Sequence, residues 1–577
     1  MKKILLLFIV FTACTTEKNT ANLDFNTKFE KSEGTQTATY VETIKYFTNL
    51  ANTYPEIAMQ SIGETDSGEP LHIVTYNLDK NFNFNAIQKN KCILLINNGI
   101  HPGESDGIDA TMMLFRDLAQ GKITPPKNTV LVSIPIYNIG GSLNRNSTSR
   151  TNQNGPKEYG FRGNARNYDL NRDFIKSDTK NAKTFAEIFH LVQPDIFIDN
   201  HVSNGADYQY TLTHLFTQHN KLGGELGKYL HNNIMPKLEK SLTDKNWDIT
   251  PYVNVFNQKP EKGFSQFMDS PRYSTGYTTL FNTFGMMVET HMLKPYKQRV
   301  EGTYQLMKSM LEIAELDGSK IKELRKNVAA KIIANKKYPL NWEIDTTKFS
   351  TIAFKGFEGN YIPSEITGKE RLKFNKSKPF TKDVKYQNYF KPTDAVTIPK
   401  AYIIPQGWWR VINLLKLNKV EITQLKNDTI IEVESYKIEN YKTRKSAYEG
   451  HYQHFNTTVK SKTKKLTFLK GDYFIPTNQK AIRYLLETLE PHAPDSFFNW
   501  NFFDTILQQK EGFSPYVWED KALEILNTNE ILKQEFETKK QEDTNFASNW
   551  YAQLDWLHKQ SENYEKAHLQ YPVYRLQ

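Results

Sequence analysis

Cysteine is almost absent. The 577 residues include two, Cys14 and Cys92, which excludes a disulfide framework and a cysteine-based zinc finger. Any metal must therefore be held by His, Asp and Glu. Long apolar runs are missing as well. The run at 4–11 is too short to cross a bilayer, and no other segment reaches the ~18 apolar residues of a spanning helix. Charge is not concentrated in one place. Lys and Arg number 74 against 64 Asp and Glu, a net charge of +10, but the excess is spread along the chain and forms no stripe suited to nucleic acid. Glycine is too sparse for a collagen, and an aromatic content of 13% is too high for a disordered chain. No internal repeat is present. What remains is a globular chain with length for about two to four domains.

The N-terminus carries an address. Lys2 and Lys3 precede the apolar run, and Thr12-Ala13-Cys14 follows it. A small residue before a cysteine at this place resembles the bacterial lipobox, which implies cleavage before Cys14 and acylation of its amine and thiol. The expected organisation is a lipoprotein signal peptide over 1–13 and a flexible polar tether over 14–34. Lipid anchoring in the cell envelope, on the periplasmic or cell-surface side, follows. Cys92 lies in an apolar run and reads as a core residue.

Residues 35–330 alternate between strand-like and helical patterns. The runs 92–97, 129–134 and 194–199 are short, apolar and bounded by turn residues or helical stretches, as buried strands are. Residues 109–118, 182–191, 221–241 and 296–315 read as helices. This predicts an α/β fold with a mixed central sheet and helices on both faces. A Lys-rich helical stretch at 319–337 leads into 331–577, where short Thr-, Tyr-, Val- and Ile-rich runs predict a mainly β module with some helices. A hairpin is expected around Asn427-Asp428, and helices at 479–490 and 519–538. The aromatic clusters at 408–409 and 497–503 read as core or interdomain packing.

His101-Pro-Gly-Glu104 follows the first buried strand and a turn. A His and a Glu three apart, on a loop at the carboxyl end of a strand, can converge on one ion, and that is where α/β sheets place their sites. His201 follows a second buried strand. Two imidazoles and one carboxylate leave a fourth position open for water, as in a catalytic zinc site. Alone, His-x-x-Glu also fits a solvated turn. Three further features point to chemistry: Asn171-Arg172, an amide and a fork suited to a carboxylate; Arg162 upstream; and Glu289 after the apolar run 286–288, a candidate general base.

The order H-x-x-E, R-x-N-A, D-L-N-R, strand then His, late strand then Glu resembles the M14-type zinc carboxypeptidases, the carboxypeptidase A family, over roughly half the chain. The resemblance implies one zinc ion per chain on His101, Glu104 and His201, and Glu289 as general base. It also implies a terminal carboxylate held by Asn171 and Arg172, and an arginine polarising the scissile carbonyl. Arg162 matches that arginine best by motif, with Arg145 and Arg150 behind it. The family's active-site tyrosine has no unambiguous match; Tyr273 and Tyr277 are the candidates for substrate binding. Asp173 stands where many relatives have Asn. The implied activity is removal of C-terminal residues from peptides with a free carboxylate, by a monomer that binds no nucleic acid. Related deacylases of N-acyl amino acids, cell-wall peptides as substrates, and a catalytically silent binding protein are the competing readings.

Overall fold

The computed structural model describes residues 24–577. The signal segment 1–13 and Cys14 lie outside the described residues. The part of the expected tether that is described, 24–34, is packed rather than flexible. Phe25 and Phe29 are buried, Thr27 caps the short helix Lys28–Lys31, and Arg116 Nη1 donates to Phe25 O at 3.1 Å and Glu30 Oε1 at 2.8 Å. Two phenyl rings in an otherwise polar stretch gain more by burial than the segment loses in freedom.

Nine strands come first in chain order: β1 Ile57–Glu64, β2 Pro70–Tyr76, β3 Cys92–Asn97, β4 Thr129–Ile134, β5 Ile196–Ser203, β6 Leu212–Phe216, β7 Ile249–Pro251, β8 Phe264–Ser265 and β9 Phe284–His291. All but β8 form one eight-stranded sheet in the order β1-β2-β4-β3-β5-β9-β6-β7. Its centre is parallel (β4, β3, β5, β9) and its flanks are antiparallel where β1 meets β2, β2 meets β4 and β6 meets β9. The expected mixed sheet is therefore present. β3, β4 and β5 are buried along their whole length, which is why they read as continuous apolar runs rather than alternating ones. Helices Asp106–Ala119, Lys180–Val192 and Tyr296–Ala329 pack against this sheet. Thr179 caps the second, with Oγ1 accepting from Ala182 N.

Helix Tyr296–Ala329 is continuous over 34 residues, joining two stretches that the sequence separates. Gly318 lies inside it because the helix backbone passes close to β3. A Cβ there would stand 2.4 Å from that of Cys92. Cys92 itself is free and buried.

The C-terminal region begins with the pair Lys337–Ile344 and Phe390–Thr397. The long hairpin Ser350–Pro363/Glu370–Gln387 extends its own sheet by pairing in parallel with β8. A six-stranded sheet follows, with Thr429–Thr443 paired to His454–Phe468 at its edge. The hairpin expected around Asn427-Asp428 does not form, because Thr423–Gln424 pairs with Tyr473–Pro476 instead. Local alternation sets which face is apolar but not which partner a strand takes, and the 15-residue strand His454–Phe468 offers the longer ladder. Helices Pro515–Thr528, Glu530–Glu542 and Trp550–Gln560 form a tail with its own small core around Trp518, Phe536 and Leu557. The main core runs unbroken from the central sheet into the C-terminal region through Tyr338, Tyr402, Tyr484 and Trp500. Among the described residues no helix is long and apolar enough to cross a membrane.

Candidate active site

The candidate residues gather at the carboxyl ends of β3, β5 and β9, three neighbours in the sheet. Register pairs Asn97 with Asp199 and His201 with Glu289. The loop after β3 carries His101 and Glu104 and turns on itself, Glu104 N donating to His101 O at 2.7 Å. Asn138 ties this loop to the next. Its Nδ2 donates to Ile100 O at 3.1 Å and to Arg162 O at 2.9 Å.

His101, Glu104 and His201 bring one ligand atom each to within 4.8 Å of one another, and all three are buried. His101 Nδ1, which is buried and has no hydrogen bond of its own, lies 3.2 Å from Glu104 Oε1. His201 Nδ1 lies 3.1 Å from Glu104 Oε2. The outer nitrogens are taken: His101 Nε2 by Asp169 Oδ1 at 2.9 Å and His201 Nε2 by Asp199 Oδ2 at 2.9 Å. A carboxylate on the outer nitrogen fixes ring orientation and tautomer, leaving the inner nitrogen as a lone-pair donor, which is how proteins prepare histidines for a metal. Asp199 is two residues before His201 on one strand, so both project to the same face.

The charges agree. Burial opposes ionisation of Glu104, yet Arg150 and His101 hold its carboxyl well below the usual range. Burial likewise opposes a charged His201, but Asp199 and Glu104 hold its pKa well above the ordinary value. The pocket thus draws positive charge onto His201. A divalent cation on His101, Glu104 and His201 meets that demand with both rings neutral, so the residues present fit a metal of the zinc type.

Glu289 is the one partly exposed residue of β9. Burial pushes its carboxyl up to about 8, with Glu104 and Asp199 adding to the rise and His201 and Arg162 opposing it. Arg162 lies at the rim, its Nη2 2.8 Å from Asp169 Oδ2 and its Nη1 3.8 Å from Glu104 Oε1. Arg150 also reaches the site, with Nη1 2.7 Å from Glu104 Oε1. Arg145 turns away to Glu158 O.

Asp169, Asn171 and Arg172 lie on one short turn. Asp169 Oδ1 accepts from Asn171 N, and Arg172 Nη1 donates to Asn171 O. Asn171 Oδ1 accepts from Ser274 N at 3.2 Å. The Arg172 guanidinium lies 4.4 Å from the centre of the Tyr273 ring, so Tyr273 belongs to this wall. Tyr277 does not. It is fully buried in the core, its hydroxyl donating to Asn418 Oδ1 at 2.6 Å. The helix Ser274–Thr279 turns it away from the cluster, which removes it from the substrate-binding candidates. Asp173 takes Lys176 Nζ at 2.7 Å and Thr179 N at 2.9 Å, a structural role that Asn would fill only in part.

One residue at the site escaped the sequence reading. Tyr252 follows β7 and is half-buried within electrostatic reach of Glu289, Tyr208 and Glu104; burial, the larger cause, and these groups push its phenol well up. Its place comes from the pairing of β7 with β6, and no local pattern announces it.

No family model matches the chain. A stretch of 101 residues, 17% of this chain, is 31% identical to Carboxypeptidase 2 of Trichophyton tonsurans and spans 18% of that protein's length. A metallo-carboxypeptidase from Burkholderia cenocepacia superimposes with a TM-score of 0.36 at 15% identity, over 48% of this chain and 69% of its own. The carboxypeptidase A from Helicoverpa armigera gives 0.36 at 13%, over 51% and 74%. All three bear the name carboxypeptidase. The match to the curated relative covers less than a fifth of that protein.

Proposed function

We propose that this protein is a metallocarboxypeptidase that hydrolyses the C-terminal peptide bond of substrates with a free carboxylate. The observation that carries the reading is the convergence of three buried ligand residues, His101, Glu104 and His201, with Glu289 on the adjoining strand. A zinc ion on the three ligands would supply a Lewis acid and a nucleophile at neutral pH. Asn171 and Arg172 bind the terminal carboxylate, with the guanidinium steadied by the Tyr273 ring, and so orient the scissile bond. Glu289 accepts the proton of the attacking water and returns it to the leaving amine. Arg162 offers its positive charge to the oxygen that becomes anionic in the transition state. Asp169 and Asp199 keep the two imidazoles in place. Acyl groups on Cys14, exposed by removal of the leader, would anchor this activity to the cell envelope.

The test is metal content measured beside activity. The whole protein should bind one equivalent of zinc and release the C-terminal residue from blocked dipeptides. Glu289→Gln should keep the metal and lower kcat by at least about 10²-fold. Zinc bound with no peptide cleaved transfers the reading to N-acyl amino acids or cell-wall peptides. Absence of zinc sinks it.

A further inference from the structure

The loop between the paired strands Thr429–Thr443 and His454–Phe468 returns to the eight-stranded sheet. At its tip Tyr448 and His451 pair across a two-residue turn, Tyr448 N donating to His451 O at 2.7 Å and His451 N to Tyr448 O at 3.1 Å. Glu449 and Gly450 form the turn with φ of 49° and 79°, the left-handed pair that a tight hairpin turn of this kind requires. Gly450 passes so close to Tyr168 that a Cβ would stand 2.5 Å from its hydroxyl. A side chain there would strain the turn and force either the tip or the Tyr168 ring to shift.

The tip grips the turn that carries Asp169 and Arg172. Glu449 Oε2 accepts from Asp169 N at 2.9 Å, a bond between residues 280 apart in the chain. His451 Nε2 lies 2.7 Å from Asp178 Oδ2. Nearby, Arg272 joins Asp495 at 2.7 Å and lies over the Trp500 ring. The Asp169 backbone is thus held from the C-terminal module while its side chain holds His101 and Arg162.

We propose that Glu449 is a positioning residue of the active site, supplied by the C-terminal module. Through the Asp169 N–H it fixes the carboxylate that orients the metal-binding His101, and with it the start of the turn that presents Arg172. The C-terminal module is then part of the site rather than an appendage. This inference rests on the reading of His101, Glu104 and His201 as a metal site.

Two substitutions in the whole protein test it. Glu449→Ala removes the acceptor, and Glu449→Gln keeps a carbonyl oxygen to receive the same N–H. Zinc loss to a chelator should be about tenfold faster in Glu449→Ala and within about twofold of the parent in Glu449→Gln, the scale on which partners of metal-bound histidines act. KM for a free-carboxylate dipeptide should rise about tenfold in the first with kcat within about threefold, and recover in the second. Gly450→Ala, which strains the turn that carries Glu449 without removing its carboxylate, should move both readouts in the same direction as Glu449→Ala does, and it serves if that variant fails to fold. Zinc loss and KM at parental values in Glu449→Ala, or equal losses in the Ala and Gln variants, overturn the proposal. Zinc loss is read without substrate, so a protein that holds zinc yet cleaves no peptide refutes the peptidase reading while Glu449 is still judged on zinc alone. A protein that binds no zinc overturns both.

Discussion

Two kinds of strand serve this site, and they do so in opposite ways. β5 is eight residues long and buried throughout, locked between β3 and β9. The hairpin strands Thr429–Thr443 and His454–Phe468, the second of them the sheet's edge, are 15 residues each, with Lys460, Lys462, Lys464 and Lys465 in water. The buried strand cannot shift without breaking ladders on both sides and packing on both faces, so what stands at its end, His201, is placed within narrow limits. The exposed hairpin gains reach instead. Its loop travels back to the sheet and sets Glu449 against Asp169. The candidate ligands stand on or just beyond strands that cannot move; groups that steady those from outside can come from an arm.

The comparison breaks first if burial does not translate into stability. Phe197→Ala in β5 removes a fully buried ring and should cost about 3–5 kcal/mol. Ile430→Ala, at a position 71% exposed in the C-terminal hairpin, should stay within about 0.5 kcal/mol. Denaturant unfolding of the two variants measures the gap; similar losses would mean that the hairpin is as tightly integrated as the sheet.

A second substitution probes the seam between the two. Lys176 has a fully buried side chain with Nζ 2.7 Å from both Asp173 Oδ1 and Asp178 Oδ2. Burial works against its charge, but the two carboxylates outweigh it and hold the ammonium above the usual lysine value. Lys176→Met keeps the bulk and leaves Asp173 without its cation, and should cost about 3 kcal/mol. Because Asp178 also meets His451, the loss should be accompanied by faster proteolysis of the 444–453 loop. Cleavage at the parental rate would show that the seam does not depend on this ion pair.

The same division decides what could be read from sequence. β3, β4 and β5 announce themselves because a strand covered on both faces is an unbroken apolar run, and His101 and His201 stand where such runs end. Asn171, Arg172 and Glu289 were legible as motif residues next to those ends. Tyr252 was not, because a three-residue strand paired to β6 positions it. Glu449 was not, because its partner lies in the other half of the chain and a charged residue in a polar loop is ordinary. Phe25 and Phe29 were hidden by the polar residues around them. The partner of Thr429–Thr443 was chosen by ladder length, which local alternation does not encode. Tyr277 misled through its distance from Glu289 alone, since the helical turn that carries it points the ring into the core.

The smallest expected effect concerns pH and lies behind the site. Asp109 is fully buried and accepts from the Tyr296 hydroxyl and from Ala38 N. Burial, with the charge of Asp106 adding to it, raises its carboxyl to about 6 from an unfolded value of 3.8. Between those values the folded protein holds a proton that the unfolded chain has released, so stability falls as pH rises through the window and is lowest above it. The shift corresponds to about 2–3 kcal/mol. Asp109→Asn cannot release a proton, so the difference in unfolding free energy between variant and parent should move in the variant's favour from pH 4 to pH 7 by roughly that amount. Ile430→Ala, out on the arm, should follow the parent at every pH. A constant difference between Asp109→Asn and the parent over the window would show that Asp109 is ionised throughout, with Tyr296 and Ala38 compensating its burial in full.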